Sequence, residues 1–372
     1  MRRAPRAILL VASVAGLGAG ISACGSSEAE PAGATKLSFT LTDAGCEPAE
    51  AKAPAGPVTF DVTNDGSASV TELEVLDGDS ILGERENITE GLSASFSLNL
   101  EQGKYTLYCP NGTESERGTL TVTGKSKAQA SPELTAAADR YRAYVEKNTA
   151  LLVAQTKPFV AAVEAGDVAR AKALYPPARL PYERIEPVAE SFGKLDPEID
   201  ARINDVPPSQ FGGFHKIEQA LWVKDSTAGM TPVAQKLLAD VEELQRKSEN
   251  LDLDAAQIAN GATALLDEVS ASKITGEEER YSHIDLYDFE ANVEGSQAAF
   301  QAVEPILRKE DPKLADEIEQ RFKAVFDALE PYRQGSGFVL YTSLTAADKR
   351  KLAQAIDALA EPLSQVAGQI VS

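Results

Sequence analysis

The chain has 372 residues and a formal net charge of −21, with 57 acidic and 36 basic side chains. This balance argues against nucleic-acid binding, because phosphates would be repelled. It also argues against binding to a membrane surface through basic residues. It favours a protein that meets cations, and the length suggests two or three domains.

The first 23 residues have the pattern of an export signal. Three arginines form a basic start, and an apolar run follows that is too short and too rich in glycine to span a membrane. Small residues precede Cys24 and a glycine follows it, which resembles a bacterial lipobox. We therefore predict a lipoprotein signal peptide over residues 1–23, a lipidated Cys24 and a polar tether over residues 24–35. An ordinary signal peptide with an incidental Cys24 is the alternative.

Residues 36–123 predict a small all-β domain. About seven short runs alternate apolar and polar residues, and Gly, Asn, Asp and Pro separate them as turn signals. Many short strands in so short a segment are typical of a Greek-key sandwich. With Cys24 assigned to the anchor, Cys46 and Cys109 are the remaining cysteines. In an exported protein they indicate either a disulfide or a thiolate metal site.

Residues 124–131 are predicted to be a polar linker, and residues 132–372 an all-α bundle. Ser131 and Pro132 form a helix start, with a serine cap and a proline in the first turn. Gly and Pro clusters such as "YPPARLP" predict the breaks between helices. Helices are predicted over 133–165, 167–175, 182–193, 197–204, 210–224, 231–248, 254–272, 284–308, 311–332 and 345–370.

The predicted helix over residues 210–224 carries His215, one of only two histidines in the chain. At about 100° per residue, Glu218 falls inside the apolar stripe of this helix and His215 lies at its edge. A buried carboxylate is costly unless it is paired or bound to a cation. Residues at i and i+3 are neighbours on one face and can share an ion. From this helix alone, a core histidine beside a salt-bridged glutamate remains the alternative.

Acidic residues just upstream favour a metal site. Glu183, Glu186 and Asp196 fall on helices that precede His215 in the chain. Helical bundles build metal sites from carboxylates and histidines that project inward from facing helices. A set rich in oxygen with one imidazole suits hard or borderline ions, iron among them.

Several stretches together resemble the EfeO family, the extracytoplasmic component of the EfeUOB iron-uptake system. They are "DAGCEP", "TELEVL", "ERENITEGLS" and "GKYTLYCPNG" in the β part, and "YERIEPVAESFGKLDPEIDARI", "GFHKIEQALW" and "YSHIDLYDFEANVEGSQ" in the helical part. They follow the family's domain order over nearly all of the mature chain, which starts like an actinobacterial-type lipoprotein. The resemblance implies a multidomain fold, with an N-terminal all-β cupredoxin-like sandwich followed by an all-α imelysin-like helical bundle.

The resemblance also implies a ligand set for an iron ion in the helical domain. The His-x-x-Glu motif places His215 and Glu218 in this set. Further carboxylates come from upstream helices, which we assign to Glu183 and Asp196, with Glu186 as the alternative to Glu183. His283 is expected to orient one of the ligands from outside the set.

For the cupredoxin-like domain, the resemblance implies a second metal site formed by Cys46, Cys109 and an intervening glutamate. We assign the glutamate to Glu72, with Glu74 as the alternative, and the metal to copper or another transition metal. The domain has no histidine and no methionine, which excludes a blue-copper centre because such a centre needs two histidines and a cysteine. A disulfide between the two cysteines remains an equal alternative.

The function expected from these features is iron capture by a lipoprotein on the extracytoplasmic face of the cell membrane. The resemblance implies delivery to a membrane iron permease, alongside a haem peroxidase, and no enzymatic activity. A zinc-dependent metallopeptidase of the imelysin type is the alternative. Against it, the motif lacks the second histidine of His-Glu-x-x-His, which only His283 could supply. A cell-surface interaction module without metal is the third hypothesis, and metal analysis of the purified protein separates it from the others.

Overall fold

The computed structural model describes residues 34–125 and 131–371. The predicted signal peptide, Cys24 and nearly all of the tether lie outside the described residues, as do linker residues 126–130. The described chain begins with a β domain and continues with a helical domain. The predicted order of an all-β sandwich followed by a helical bundle is therefore confirmed.

The β domain is made of two sheets that share one core. Its strands are β1 (Thr35–Thr42), β2 (Gly45–Glu47), β3 (Glu50–Pro54), β4 (Gly56–Asn64), β5 (Leu73–Asp77), β6 (Ser80–Arg85), β7 (Ser93–Leu100), β8 (Gly103–Tyr108) and β9 (Arg117–Thr123). The first sheet has the order β2-β1-β4-β7 and the second β3-β9-β8-β5-β6. The described domain has nine strands, whereas about seven were predicted, because β2 and β3 are too short to show an alternating pattern.

A buried disulfide joins the two sheets. Cys46 on β2 and Cys109, just after β8, form this bond with their Cα atoms 5.8 Å apart. Both residues are fully buried in the domain core. Of the two alternatives that the sequence left open, the structure has the disulfide. The metal site predicted from Cys46, Cys109 and Glu72 therefore has no free thiolate, which corrects that prediction.

The helical domain follows the linker. Its helices are α1 (Pro132–Glu164), α2 (Val168–Glu183), α3 (Leu195–Asp200), α4 (Gly213–Val223), α5 (Thr231–Ser248), α6 (Ala255–Ala271), α7 (Asp285–Glu310), α8 (Pro312–Leu329), α9 (Ala346–Leu363) and α10 (Val366–Ile370). Short 3-10 turns cover Glu186–Phe192, Lys273–Thr275, Glu330–Tyr332 and Tyr341–Ser343, and β10 (Arg333–Gln334) pairs with β11 (Gly337–Phe338). As predicted, the Ser131 hydroxyl caps α1 by accepting the Leu134 N–H at 3.1 Å. None of the helices in the described ranges combines the length and apolarity that a membrane span requires.

The predicted break at "YPPARLP" is wrong, because α2 continues through it to Glu183. Three prolines lie inside this helix, and each removes a backbone donor. The same stretch buries Tyr175, Arg179, Tyr182 and Glu183, and Arg179 forms an ion pair with Glu183 one turn later. Tertiary packing and this ion pair outweigh the local cost of the prolines.

Other predicted helix boundaries also change. The helix predicted over 182–193 is replaced by the end of α2 and the 3-10 turn Glu186–Phe192. The helix predicted over 345–370 is divided into α9 and α10, shortly after Pro362 removes an N–H from the last turn of α9.

The β domain packs against α6 and the 3-10 turn Glu186–Phe192. The Asn260 side chain on α6 donates to the Ser97 carbonyl of β7 at 2.7 Å. Arg85 of β6 forms an ion pair with Asp267 of α6 at 2.9 Å. These contacts hold the β5–β6 hairpin over the buried polar cluster of the helical domain.

Candidate metal centre

A glycine positions His215 at the start of α4. Gly213 has a φ of +59°, and a Cβ atom there would lie 2.0 Å from the Ile199 carbonyl oxygen. Only glycine allows this close approach of α4 to the end of α3. As a result, His215 Nε2 lies 3.6 Å from Oδ1 of Asp200, the last residue of α3.

Glu218 holds the other side of the imidazole. Its Oε2 lies 3.3 Å from His215 Nδ1, and its Oε1 accepts the backbone N–H groups of Tyr281 at 2.8 Å and Ser282 at 2.7 Å. Burial alone would raise the pKa of Glu218, but these hydrogen bonds lower it. Glu218 is thus a buried carboxylate that is held by hydrogen bonds. Because it contacts Nδ1, the other ring nitrogen of His215, Nε2, points away from Glu218.

Nε2 points towards two carboxylates and forms with them a potential ligand set. One oxygen each from Asp200 and Glu278 and one nitrogen of His215 all lie within 4.8 Å of one another. Glu278 Oε1 is 3.3 Å from Nε2. We call Asp200, His215 and Glu278 the inner cluster. Two carboxylates and one imidazole on three separate segments are a donor set that a hard or borderline cation can use.

The charged groups of the inner cluster shift one another's pKa. Burial and the Arg179 charge disfavour the imidazolium, but Asp200, Glu218 and Glu278 together raise the pKa of His215 to about 9. Burial raises the pKa of Asp200 to about 6, against the opposing effect of Arg179. Burial acts in the same direction on Glu278, but Lys273, His215 and Arg202 hold its pKa well below the usual range.

Arg179 of α2 is a fully buried cation at the centre of this region. Its Nη1 lies 3.3 Å from His215 Nε2. Its guanidinium forms ion pairs within 4.0 Å with five carboxylates, namely Glu183, Asp200, Glu278, Glu279 and Asp288. One guanidinium cannot neutralise five carboxylates, so the neighbourhood favours additional positive charge.

The other predicted ligands lie near the inner cluster but not in it. Glu183 is paired with Arg179 and accepts from the Asn292 amide at 3.0 Å. Glu186 pairs with Lys273, and Asp196 accepts a hydrogen bond from the Tyr182 hydroxyl. His283 has a φ of +59°, and its imidazole has no hydrogen bond or ion pair among the residues that the structure describes. The structure thus brings His215 and Glu218 into contact. Glu183 lies beside Arg179, next to the inner cluster, and Asp196 lies outside the inner cluster.

In the β domain, Glu72 and Glu74 have each other as neighbours instead of a thiolate. Glu74 lies opposite Tyr108 on β8 and opposite Glu84 on β6. Burial, together with the charge of Glu72, raises the pKa of Glu74 to about 8. Burial raises the pKa of Glu72 as well. These glutamates belong to a carboxylate-rich face of the hairpin that is distinct from the disulfide.

Sequence reasoning missed three residues that define the site. Arg179 stands in the proline-rich stretch that the sequence predicts to be a break between helices. No helical periodicity therefore indicated that its side chain is buried. Asp200 lies one helical turn after Asp196, and the choice between them depended on which one faces α4. Glu278 stands in the acidic run "GEEER" just before the His283 segment, and that run was the one available signal for it.

Family comparisons agree with this architecture. The chain matches the family model described as cupredoxin-like domain over residues 14–122 and the one described as imelysin over residues 137–366. A solved structure described as an iron-regulated protein A precursor, from Parabacteroides distasonis, aligns with a TM-score of 0.52. It covers 67% of this chain and 98% of its own at 16% identity, and so supports the fold alone. The fold and the buried cluster define a two-domain protein of the cupredoxin–imelysin class.

Close relatives identify the family. The iron uptake system component EfeO of Escherichia coli (strain K12) is 42% identical over 349 residues, which is 91% of this chain and 92% of that protein. The protein of the same name from Shigella sonnei (strain Ss046) matches to the same extent. The chain belongs to the EfeO family of iron uptake system components.

Proposed function

We propose that this protein captures iron outside the cytoplasm and passes it to a membrane permease for uptake. The inner cluster supports this proposal most strongly, because an imidazole and two carboxylates converge there on one point. The relatives are named as iron uptake system components, which supports iron as the cargo. A lipid on Cys24 would anchor the protein to the outer face of the cell membrane, and a haem peroxidase would act in the same system.

In this proposal the ligand set differs from the one predicted from the sequence. His215 binds iron through Nε2, and Asp200 and Glu278 supply carboxylate oxygens. Glu218 acts through Nδ1 by orienting the imidazole, a role that carboxylates commonly have beside metal-binding histidines. Glu183 is a further candidate ligand, because it shares the Arg179 guanidinium with Asp200. Imidazole with carboxylates suits iron, whereas thiophilic ions would need the sulfur atoms that the disulfide occupies.

The test is iron binding by the full mature chain. His215→Ala and Glu278→Gln each remove one proposed ligand, and Glu218→Gln weakens only the orientation of the imidazole. We expect the two ligand variants to lose iron at the inner cluster, and Glu218→Gln to weaken binding about 10–100-fold. Bound iron is measured by elemental analysis and affinity by titration calorimetry.

His283→Ala is the matched control, because it removes the only other histidine and its imidazole contacts none of the inner cluster. It should bind iron like the unaltered protein. Thermal melting of each variant shows whether it is folded. Unchanged iron binding by a folded His215→Ala variant would contradict the proposal and would leave His215 and Glu218 as a structural pair.

A further inference from the structure

The β5–β6 hairpin presents a row of carboxylates on one face. Glu74 on β5 lies directly opposite Glu84 on β6, and like charges in that position destabilise a sheet. Glu72 and Glu86 stand two residues away from these two, so they lie on the same face. The sequence thus places four carboxylates together, at a cost in folding free energy that favours a bound cation or proton.

The helical domain covers this face with more carboxylates. A cavity of about 230 Å³ lies between Glu84 and Glu86 on one side and Glu190 and Glu268 on the other. Among the described residues that line it, nine carry a carboxylate and one, Arg202, carries a positive charge. Arg202 already forms ion pairs with Asp205 at 2.9 Å and Glu278 at 3.0 Å. Lys273 and Arg179 lie beside the cavity and pair with four of its carboxylates, namely Glu186, Glu268, Glu278 and Asp200. The acidic groups that remain without a cationic partner in the described ranges include Glu84, Glu86 and Glu190.

Glu84 provides an independent sign that this cavity can bind a ligand. Its side chain lines the cavity and is only 7% exposed. It makes no hydrogen bond or ion pair with any residue in the described ranges. The neighbouring Arg85 points elsewhere, to Asp267 and the Ser95 carbonyl. A buried carboxylate without a partner destabilises the fold unless a cation binds it or it takes up a proton.

The cavity is continuous with the inner cluster. Asp200 and Glu278 line it as well, so an ion in the cavity meets the same two carboxylates that face His215. A ring of carboxylate oxygens without sulfur or nitrogen suits hard cations that prefer oxygen ligands. Because the cavity and the inner cluster share these two carboxylates, the cavity suits an entry site for an ion that goes on to bind His215.

We propose that this cavity is a second cation site, in which Glu84 and Glu86 of the β domain and Glu190 of the helical domain bind a hard di- or trivalent cation on its way to the inner cluster. The assignment of iron as that cation rests on the proposed function, whereas the site itself does not. Because its ligands come from both domains, the bound cation also links them. The like-charge repulsion across β5 and β6 becomes attraction to the shared ion.

The test measures metal stoichiometry on the full mature chain, with Mn²⁺ and, under anaerobic conditions, Fe²⁺ as the probes. The variant Glu84→Gln/Glu86→Gln keeps side-chain shape and removes two charges. Its matched control is Glu50→Gln/Glu90→Gln, which changes two exposed glutamates of the same domain. We expect two ions per chain in the unaltered protein and in the control, and one in the cavity variant. Glu190→Gln, which changes the cavity from the helical side, should weaken the same binding event at least tenfold.

The inner-cluster variant His215→Ala separates this proposal from the previous one. It should lose one ion and keep the ion that depends on Glu84. If the cavity variant still binds two ions, the second site is wrong, and the proposed function is unaffected. If His215→Ala still binds two ions while the cavity variant binds one, the inner site is wrong and the cavity site stands. If the unaltered protein and the cavity variant both bind one ion and the variant is only more stable, the cavity carboxylates are protonated, and this too overturns the cation site.

Discussion

The two ring nitrogens of His215 have different environments. Nδ1 faces Glu218, which backbone N–H groups of the segment before α7 hold in place. Nε2 faces Asp200, Glu278 and the Arg179 guanidinium. In the metal-free protein these carboxylates favour the imidazolium, and raise the pKa of His215 to about 9. A metal must therefore displace a proton from His215 before it can bind Nε2.

We expect iron affinity to fall as the pH falls below about 9, the pKa of His215. The metal competes with one proton, so the apparent Kd should rise about tenfold for each pH unit from pH 9 to pH 6. Calorimetry in buffers of different ionisation enthalpy should show close to one proton released per ion at pH 7. His283→Ala should give the same profile, and an affinity that does not change over this pH range would refute the role of Nε2.

Arg179 lies against His215, with Nη1 3.3 Å from Nε2, and its guanidinium pairs with five carboxylates. Replacing it in Arg179→Met leaves several buried carboxylates without their partner. We expect the free energy of unfolding of the metal-free protein to fall by about 3–5 kcal/mol, measured by urea denaturation. In saturating iron the loss should be smaller, because the ion supplies positive charge to Asp200 and Glu278.

Arg321→Met is the control, since Arg321 pairs with Glu317 on the exposed face of α8 and such pairs contribute about 0–1 kcal/mol. An equal loss for Arg179→Met with and without iron would show that the guanidinium and the metal do not share these carboxylates.

At the scale of elements, two glycines allow neighbouring backbone segments to pack closely around the inner cluster and the cavity. Gly213 lets α4 meet the end of α3, which brings Asp200 to His215. Gly261 of α6 packs against the 3-10 turn that carries Glu186 and Glu190, and a Cβ atom there would lie 1.8 Å from the Pro187 carbonyl oxygen. Both glycines therefore fix the distance between elements whose carboxylates face the two proposed metal sites.

Gly261→Ala should separate α6 from the 3-10 turn. The added methyl group cannot be accommodated without backbone movement, and we expect a loss of about 1–3 kcal/mol in the free energy of unfolding. Thermal or urea denaturation measures this loss, and metal titration should show weaker binding in the interdomain cavity. Ala271→Ser, at an exposed position on the same helix, should behave like the unaltered protein. Normal stability of Gly261→Ala would show that the two elements can move apart freely.

At the scale of the whole molecule, acidic charge is concentrated where the two domains meet. The cavity is lined by residues of both domains and shares Asp200 and Glu278 with the inner cluster. The net charge of −21 adds long-range attraction for cations to these local sites. Metal binding should therefore stabilise the folded protein as a whole, because the unfolded chain cannot assemble either set of ligands.

Adding iron to the metal-free protein should raise its melting temperature in a concentration-dependent way. At a free concentration of about 100 times the Kd, one site contributes about 2.7 kcal/mol. EDTA should reverse the effect. The triple variant His215→Ala/Glu84→Gln/Glu86→Gln should show almost no response. A melting temperature that does not change when iron is added to the unaltered protein would contradict metal binding by the native fold.

The sequence by itself determined the features that depend on local pattern. Alternating residues predicted the β domain, helical spacing predicted the bundle, and Ser131 and Pro132 marked the start of α1. The spacing of His215 and Glu218 on one helix was sufficient to predict that they touch, because neighbours at i and i+3 are fixed by helix geometry. Family membership followed from short motifs in order along the chain.

Only the tertiary structure decided which distant residues meet. Asp196 and Asp200 are one turn apart on α3, and the contact of Gly213 with Ile199 determines that Asp200 faces His215. Packing carried α2 through its prolines and buried Arg179. The packing of the two sheets against each other brought Cys46 to Cys109, and the packing of the β domain against the helical domain placed Glu84 in the cavity. Such contacts depend on how elements pack, and periodicity within a single element contains no information about its partner.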